Sequence, residues 1–131
     1  PLYKIAQLVL ILAIASRGAR SSTPRLHLFN WALKRQERIA VLAAAAKDKK
    51  LYVSAWGFDP ALASALRFAV AEGLVNALPN TYQLTDTGRL FVDDLQSDNK
   101  LLVFEKRDLR TIGKGITEAM VDEVAKGWLT I

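Results

Sequence analysis

Hydrophobic positions run almost unbroken from Ile5 to Ala15 (IAQLVLILAIA), with only Gln7 interrupting. Such a run predicts a helix from Leu2 to Ser16, ended by the Arg17-Gly18 break and buried on all sides in a core. Thr23 followed by Pro24 has the pattern of an N-cap and first helical position. The second helix then sets Leu26, Phe29 and Leu33, with Trp31, on overlapping apolar faces, and Arg25, Lys34, Arg35 and Arg38 on its other side. Ile39 to Ala46 (IAVLAAAA) either continues that helix or follows a short break, and Lys47-Asp48-Lys49-Lys50 closes it. Leu51 to Ala55 is rich in β-formers and predicts the first strand of a small sheet.

From Asp59 to Leu95 the pattern alternates between helix and strand (DPALASALRFAVAEGLVNALPNTYQLTDTGRLFVDDL). Asp59 can N-cap a helix that carries Pro60 in its first turn and stops at Gly73. Two short β-prone runs follow, Leu74-Val75 and Tyr82-Gln83-Leu84, joined by a Pro79-Asn80 turn. Thr85 caps the next helix, which runs through Leu95. Gln96 to Lys100 is a polar turn, and LLVFEKRDLRTIG predicts a short extended piece followed by a helical turn. Thr117 caps a last amphipathic helix with Ala119, Met120, Val121 and Val124 on its apolar side, leaving Trp128, Leu129 and Ile131 as an apolar tail. The fold class is therefore mainly α with a small β-sheet: a winged helix-turn-helix with extra N- and C-terminal helices. One domain spans residues 1–131, with basic helices over 1–50, a winged-helix core over 51–97 and a C-terminal extension over 98–131.

Composition narrows the chemistry. With no cysteine and one histidine among 131 residues, disulfides, thiolate chemistry and Cys-built zinc sites are excluded. A bilayer span needs about twenty apolar residues, and the Ile5–Ala15 run supplies roughly half of that. A signal-peptide core is the other way to read the run, because Lys4 precedes it, but no secreted-protein feature follows. Pro1 implies either removal of an initiator Met or a preceding segment. The expected location is cytoplasmic, with no membrane partner.

The net charge of +5 is unevenly placed. Residues 1–50 hold ten Lys and Arg against two acids, whereas residues 51–131 hold eight against eleven. A winged helix that grips DNA usually concentrates positive charge on its reading helix and wing. Here the helix after Asp59 offers only Ser64, Arg67 and Glu72 as polar side chains, and Val75 to Tyr82 contains no basic residue. Base readout needs several long polar side chains at groove edges, so this helix is either buried between neighbours or docks a protein. The candidate partner-binding residues are Leu62, Leu66, Arg67 and Val70, together with Trp128 and Leu129 of the tail.

The basic cluster Arg17, Arg20, Arg25, Lys34, Arg35, Arg38, Lys47, Lys49 and Lys50 is either a solvated face or a contact for phosphates or an acidic protein. Arg17, Arg20 and Arg25 flank a Ser-Ser-Thr loop at a helix N-terminus, which favours anions. Any DNA contact there would be sequence-blind. His27 has no Ser, Cys or paired carboxylate spaced to make it catalytic, and Asp93-Asp94 point in different directions on a helix. Gly113-Lys114-Gly115-Ile116-Thr117 lacks the spacing of a phosphate-binding loop. No catalytic constellation, metal site or cofactor motif emerges, and the expectation is a protein that is not an enzyme.

DPALASALRFAVAEGLV followed by YQLTDTGRLFVDDL resembles the middle component of ABC-three-component, Lamassu-type anti-phage defence systems, and the upstream TPRLHLFNWALKR looks similar too. The resemblance covers Thr23 to Gly113. It implies a small non-enzymatic adaptor joining a structural-maintenance-of-chromosomes-like (SMC-like) ATPase to an effector, often a nuclease. It carries over no catalytic residue. AEGLV…YQLTDTGR is also shared with winged-helix transcription regulators, so a dimeric operator-binding regulator that uses Arg67 is the alternative.

Overall fold

The computed structural model describes residues 2–127, so Trp128 and Leu129 of the expected apolar tail lie outside the described residues. Helix α1, Leu2–Ala15, is the axis around which the other elements pack. Leu8, Val9, Leu10, Ile11 and Leu12 are consecutive, and all five are buried, as an all-apolar helix requires. Its neighbours are α4 (Pro60–Ala71), α5 (Asp86–Ser97), α6 (Val103–Ile112) and α2 (Thr23–Ala32). Among the described residues, no helix is long and apolar enough to cross a membrane.

The sheet has three antiparallel strands in the order β1-β3-β2, formed by β1 (Arg20–Ser22), β2 (Val75–Leu78) and β3 (Thr81–Leu84). The β2–β3 hairpin follows the expected runs, with Val75 opposite Leu84 and Leu78 opposite Thr81 around the Pro79-Asn80 turn. Asn80 takes the positive φ of 63° that this tight turn demands. The first strand differs from the sequence expectation. Leu51 to Ala55 forms no ladder; Arg20-Ser21-Ser22 pairs with β3 instead. β-propensity favours the Leu51 run, but strand pairing is decided by what lies beside β3 in space.

Helix ends are set by local chemistry. Ser22, one residue before the expected Thr23, caps α2 by accepting from the Arg25 N–H at 3.3 Å. Arg35 is extended and breaks the chain between α2 and α3 (Gln36–Asp48). Asp59 caps α4, accepting from the Ala61 N–H at 2.9 Å. At its other end Gly73 sits at φ 73°, with Gly73 N–H donating to Val70 and Leu74 N–H to Ala69, a Schellman closure. Thr85 caps α5 through the Gly88 N–H at 2.9 Å. A Cβ on Gly88 would stand 2.1 Å from the Leu74 carbonyl oxygen, so the Thr-Asp-Thr-Gly sequence lets α5 start directly against the entry to β2.

Residues 103–112 form a complete helix rather than an extended piece and a turn. Leu109 and Ile112 bury against the core, while Val103 and Phe104, part of the expected extended piece, stay exposed. Lys106 is buried beside them, its Nζ donating to the Leu95 and Asp98 carbonyls at the end of α5. A cation at a helix C-terminus satisfies orphan carbonyls and opposes the negative end of the dipole. Helix α7, Glu118–Gly127, follows its expected cap at Thr117 and buries Val121.

Candidate functional site

Helix α4 divides its apolar residues between two faces. Leu62, Ala65, Leu66 and Ala69 repeat at i, i+3, i+4 and i+7 and are buried against the core. Leu62 and Leu66 therefore belong to the fold and are not available to a partner, contrary to the sequence expectation. The reason is periodicity: α4 needs one stripe to hold it on α1, and these two leucines form it. Arg67 and Val70 are exposed as expected, and Phe68 joins them with 57% of its surface free. Phe68 escaped the sequence reading, although its position outside the 62-65-66-69 stripe points it outward.

Arg67 Nη2 donates to Ser64 Oγ at 3.1 Å, so the one cation on this face is partly spent on its own helix. The exposed side of α4 continues onto the first turn of α1 through a cleft of about 410 Å³. Tyr3, Lys4, Ala61, Ser64 and Phe68 line it. Tyr3 donates to the Glu105 carboxylate of α6, and Gln7 Nε2 donates to the Tyr3 hydroxyl at 3.0 Å. Burial, and then the Glu105 carboxylate, push the Tyr3 hydroxyl up to about 12. The lining thus includes an un-ionised phenol, a phenyl ring and the stem of Lys4, whose ammonium donates to Asn30. Its chemistry suits apolar contact with a few hydrogen bonds.

The basic cluster does not form one surface. Arg25 is the clearest correction, since it is 3% exposed. Its guanidinium donates to the Ile116 carbonyl at 2.8 Å, Ser16 Oγ at 2.7 Å, Ser21 Oγ at 3.3 Å and the Ala15 carbonyl, and lies over the Phe29 ring. Burial drives it down to about 10, with Glu118 opposing that fall. Arg25 therefore ties α1, β1 and the Ile116 segment together, and its donors are turned inward.

The N-terminus of α2, expected to favour anions, holds a carboxylate of this chain. Glu118 accepts from the Ser22 N–H at 2.9 Å and from Ser22 Oγ at 2.6 Å. The anion preference of a helix start is real, and α7 satisfies it from within.

Arg17 and Arg20 remain exposed near this point. At the α2–α3 turn, Lys34 pairs with Asp59 at 3.1 Å and Arg35 with Glu37 at 2.6 Å. Arg38 donates to the Trp31 carbonyl at 3.0 Å and stacks over the Trp31 ring. Lys47, Lys49 and Lys50 lie exposed at the far end of α3, with Lys50 over the exposed Tyr52 ring. A helix of this length separates the two groups by about 18 Å at 1.5 Å per residue.

His27 and Asp59 form a further polar cluster. The Asp59 N–H donates to His27 Nδ1 at 3.2 Å, and the Asp59 carboxylate accepts from Asn30 at 2.9 Å as well as from Lys34. The Asn30 hydrogen bond is the main reason that Asp59 lies near 2. These contacts fasten the start of α4 to α2. Among the described residues no group of His, Asp and Glu is placed to hold a metal ion.

Comparison with family models, with curated proteins and with solved structures found no match.

Proposed function

We propose that this chain is a winged-helix adaptor that links an SMC-like ABC ATPase to an effector protein in an anti-phage defence complex. The winged-helix reading is supported by the sheet order β1-β3-β2, with the β2–β3 hairpin directly following α4. The adaptor reading rests chiefly on the outward face of α4. It presents Phe68, Val70 and small residues beside the single Arg67, where a base-reading helix would carry several long polar side chains. The hairpin tip beside it is uncharged. Exposed apolar side chains around a shallow cleft are what a protein partner buries.

Sequence-blind contact with a DNA backbone is a secondary part of the proposal, carried by Lys47, Lys49 and Lys50, with Arg17 and Arg20 as a second cluster. Replacing the three lysines by alanine should lower the salt slope of duplex binding by about 0.9 for each phosphate no longer neutralised. An unchanged slope removes these lysines from the DNA interface.

The deciding experiment is a tagged pull-down from native cells, with co-eluting chains identified by mass spectrometry. The expected result is a large coiled-coil ATPase at fixed ratio, absent from the Phe68→Ala eluate. Elution as a homodimer with one DNA sequence enriched would overturn the adaptor reading in favour of a transcription regulator.

A further inference from the structure

The segment between α3 and α4 lies over the first turns of α2 and leaves a pocket of about 430 Å³. Its walls include Pro24 and His27 from α2 and Trp56, Gly57 and Phe58 from the connecting segment. Trp56 is fixed there, its Nε1 donating to the Pro24 carbonyl at 2.9 Å. The pocket is of the size that holds small organic ligands, and its lining is mainly aromatic and apolar, as in such sites.

His27 supplies a polar atom with an unmet requirement. It is only 5% exposed. Because Nδ1 accepts the Asp59 N–H, a neutral imidazole must carry its proton on Nε2. That nitrogen is buried and has no hydrogen-bond partner. Burial holds the ring below its ordinary value, with the Asp59 carboxylate opposing and Lys34 assisting, so the neutral form prevails near neutral pH. A buried donor left unpaired is destabilising, and an arriving acceptor would relieve that cost.

We propose that this pocket binds a small, uncharged, apolar molecule carrying one carbonyl group, whose oxygen accepts from His27 Nε2. The charge that the imidazole feels most strongly is the Asp59 carboxylate, which disfavours an anionic ligand. Phe58 is 69% exposed and tilted over the imidazole with ring centroids 4.9 Å apart. Nε2 itself is closed to solvent, so binding requires the Phe58 ring to swing away from the imidazole. Occupancy would bear on the segment that leads into the Asp59 cap of α4. This site is independent of the adaptor reading.

The test compares two probes of one shape, acetophenone and isopropylbenzene, titrated into the full chain and followed by ¹H–¹⁵N NMR. Acetophenone should bind saturably, shift the Gly57, Phe58 and Asp59 amides, and bind about tenfold more tightly than the hydrocarbon, the ratio expected of one recovered hydrogen bond. His27→Asn keeps an acceptor near the Nδ1 position and deletes the Nε2 donor, so it should abolish the preference and leave hydrocarbon binding in place. The unaltered protein gives a second readout: the Nε2 proton should slow its exchange with acetophenone and not with isopropylbenzene. Equal affinity for both probes, a preference that survives His27→Asn, or an Nε2 proton indifferent to acetophenone would each overturn the assignment.

Discussion

Helices α1 and α4 are both almost wholly apolar in sequence, yet they do different work. Beyond its exposed first turn α1 is packed among the other helices and the sheet, and five consecutive residues at its centre are buried. α4 spends one stripe on α1 and turns Phe68 and Val70 outward. Apolar content alone cannot separate a core helix from an interface helix. The difference lies in arrangement: α1 has too many large side chains for one stripe, whereas α4 sets alanines between its leucines and leaves Phe68 on the opposite side.

The contrast breaks first at its deepest point. Leu10→Ala should cost about 4 kcal/mol and Leu66→Ala about 3 kcal/mol in urea denaturation, because each deletes buried methyl groups and leaves a cavity. A destabilisation below about 1 kcal/mol at Leu66 would mean that the inner stripe of α4 is not core. Next in size is the fastening of α4. Asp59→Ala removes its cap and the bonds to Asn30 and Lys34, and should cost about 1–2 kcal/mol. Hydrogen exchange should quicken at the start of α4 and leave α1 unchanged.

The same carboxylate sets an acid limit. Asp59 falls from an ordinary 3.8 to about 2 in the folded chain, chiefly through the Asn30 hydrogen bond. A folded value below the unfolded one means that its stabilisation is complete above the ordinary value and disappears as pH drops through the lower one. The urea midpoint of the native chain should therefore fall further than that of Asp59→Ala between about pH 4 and about pH 2. Parallel curves would show that Asp59 is not the group responsible. The smallest stability effect is expected at Phe68→Ala, within about 0.5 kcal/mol, since the ring is mostly in solvent. Its consequence should appear in partner retention.

What was legible in the chain was local. Asp59, Thr85 and Gly73 each announce a helix boundary within a few residues, and the Pro79-Asn80 hairpin is equally self-contained. The apolar run of α1 announced burial by its density. What was not legible depended on distant partners. Arg25 looks like any exposed helix arginine until Ile116 and Ala15 present their carbonyls to it. The helix start at Ser22 looks vacant until Glu118 arrives from 96 residues away. β1 is a short polar strand that exists only because β3 lies beside it. In the candidate site, all four α4 candidates looked alike in sequence: Arg67 and Val70 stand on the outer face, while Leu62 and Leu66 needed the position of α1 to be recognised as core.

The central place of α1 has a consequence for how the chain is made. Its main cover comes from α4, α5 and α6, all encoded at least 45 positions after it ends. Synthesis therefore delivers this greasy segment well before its wrapping. At roughly 5–20 residues per second, α1 spends several seconds without that cover. Efficient folding of this protein should depend on whatever shields an apolar helix during that interval, and a pause in translation before residue 60 should reduce its soluble yield more than an equal pause after residue 112.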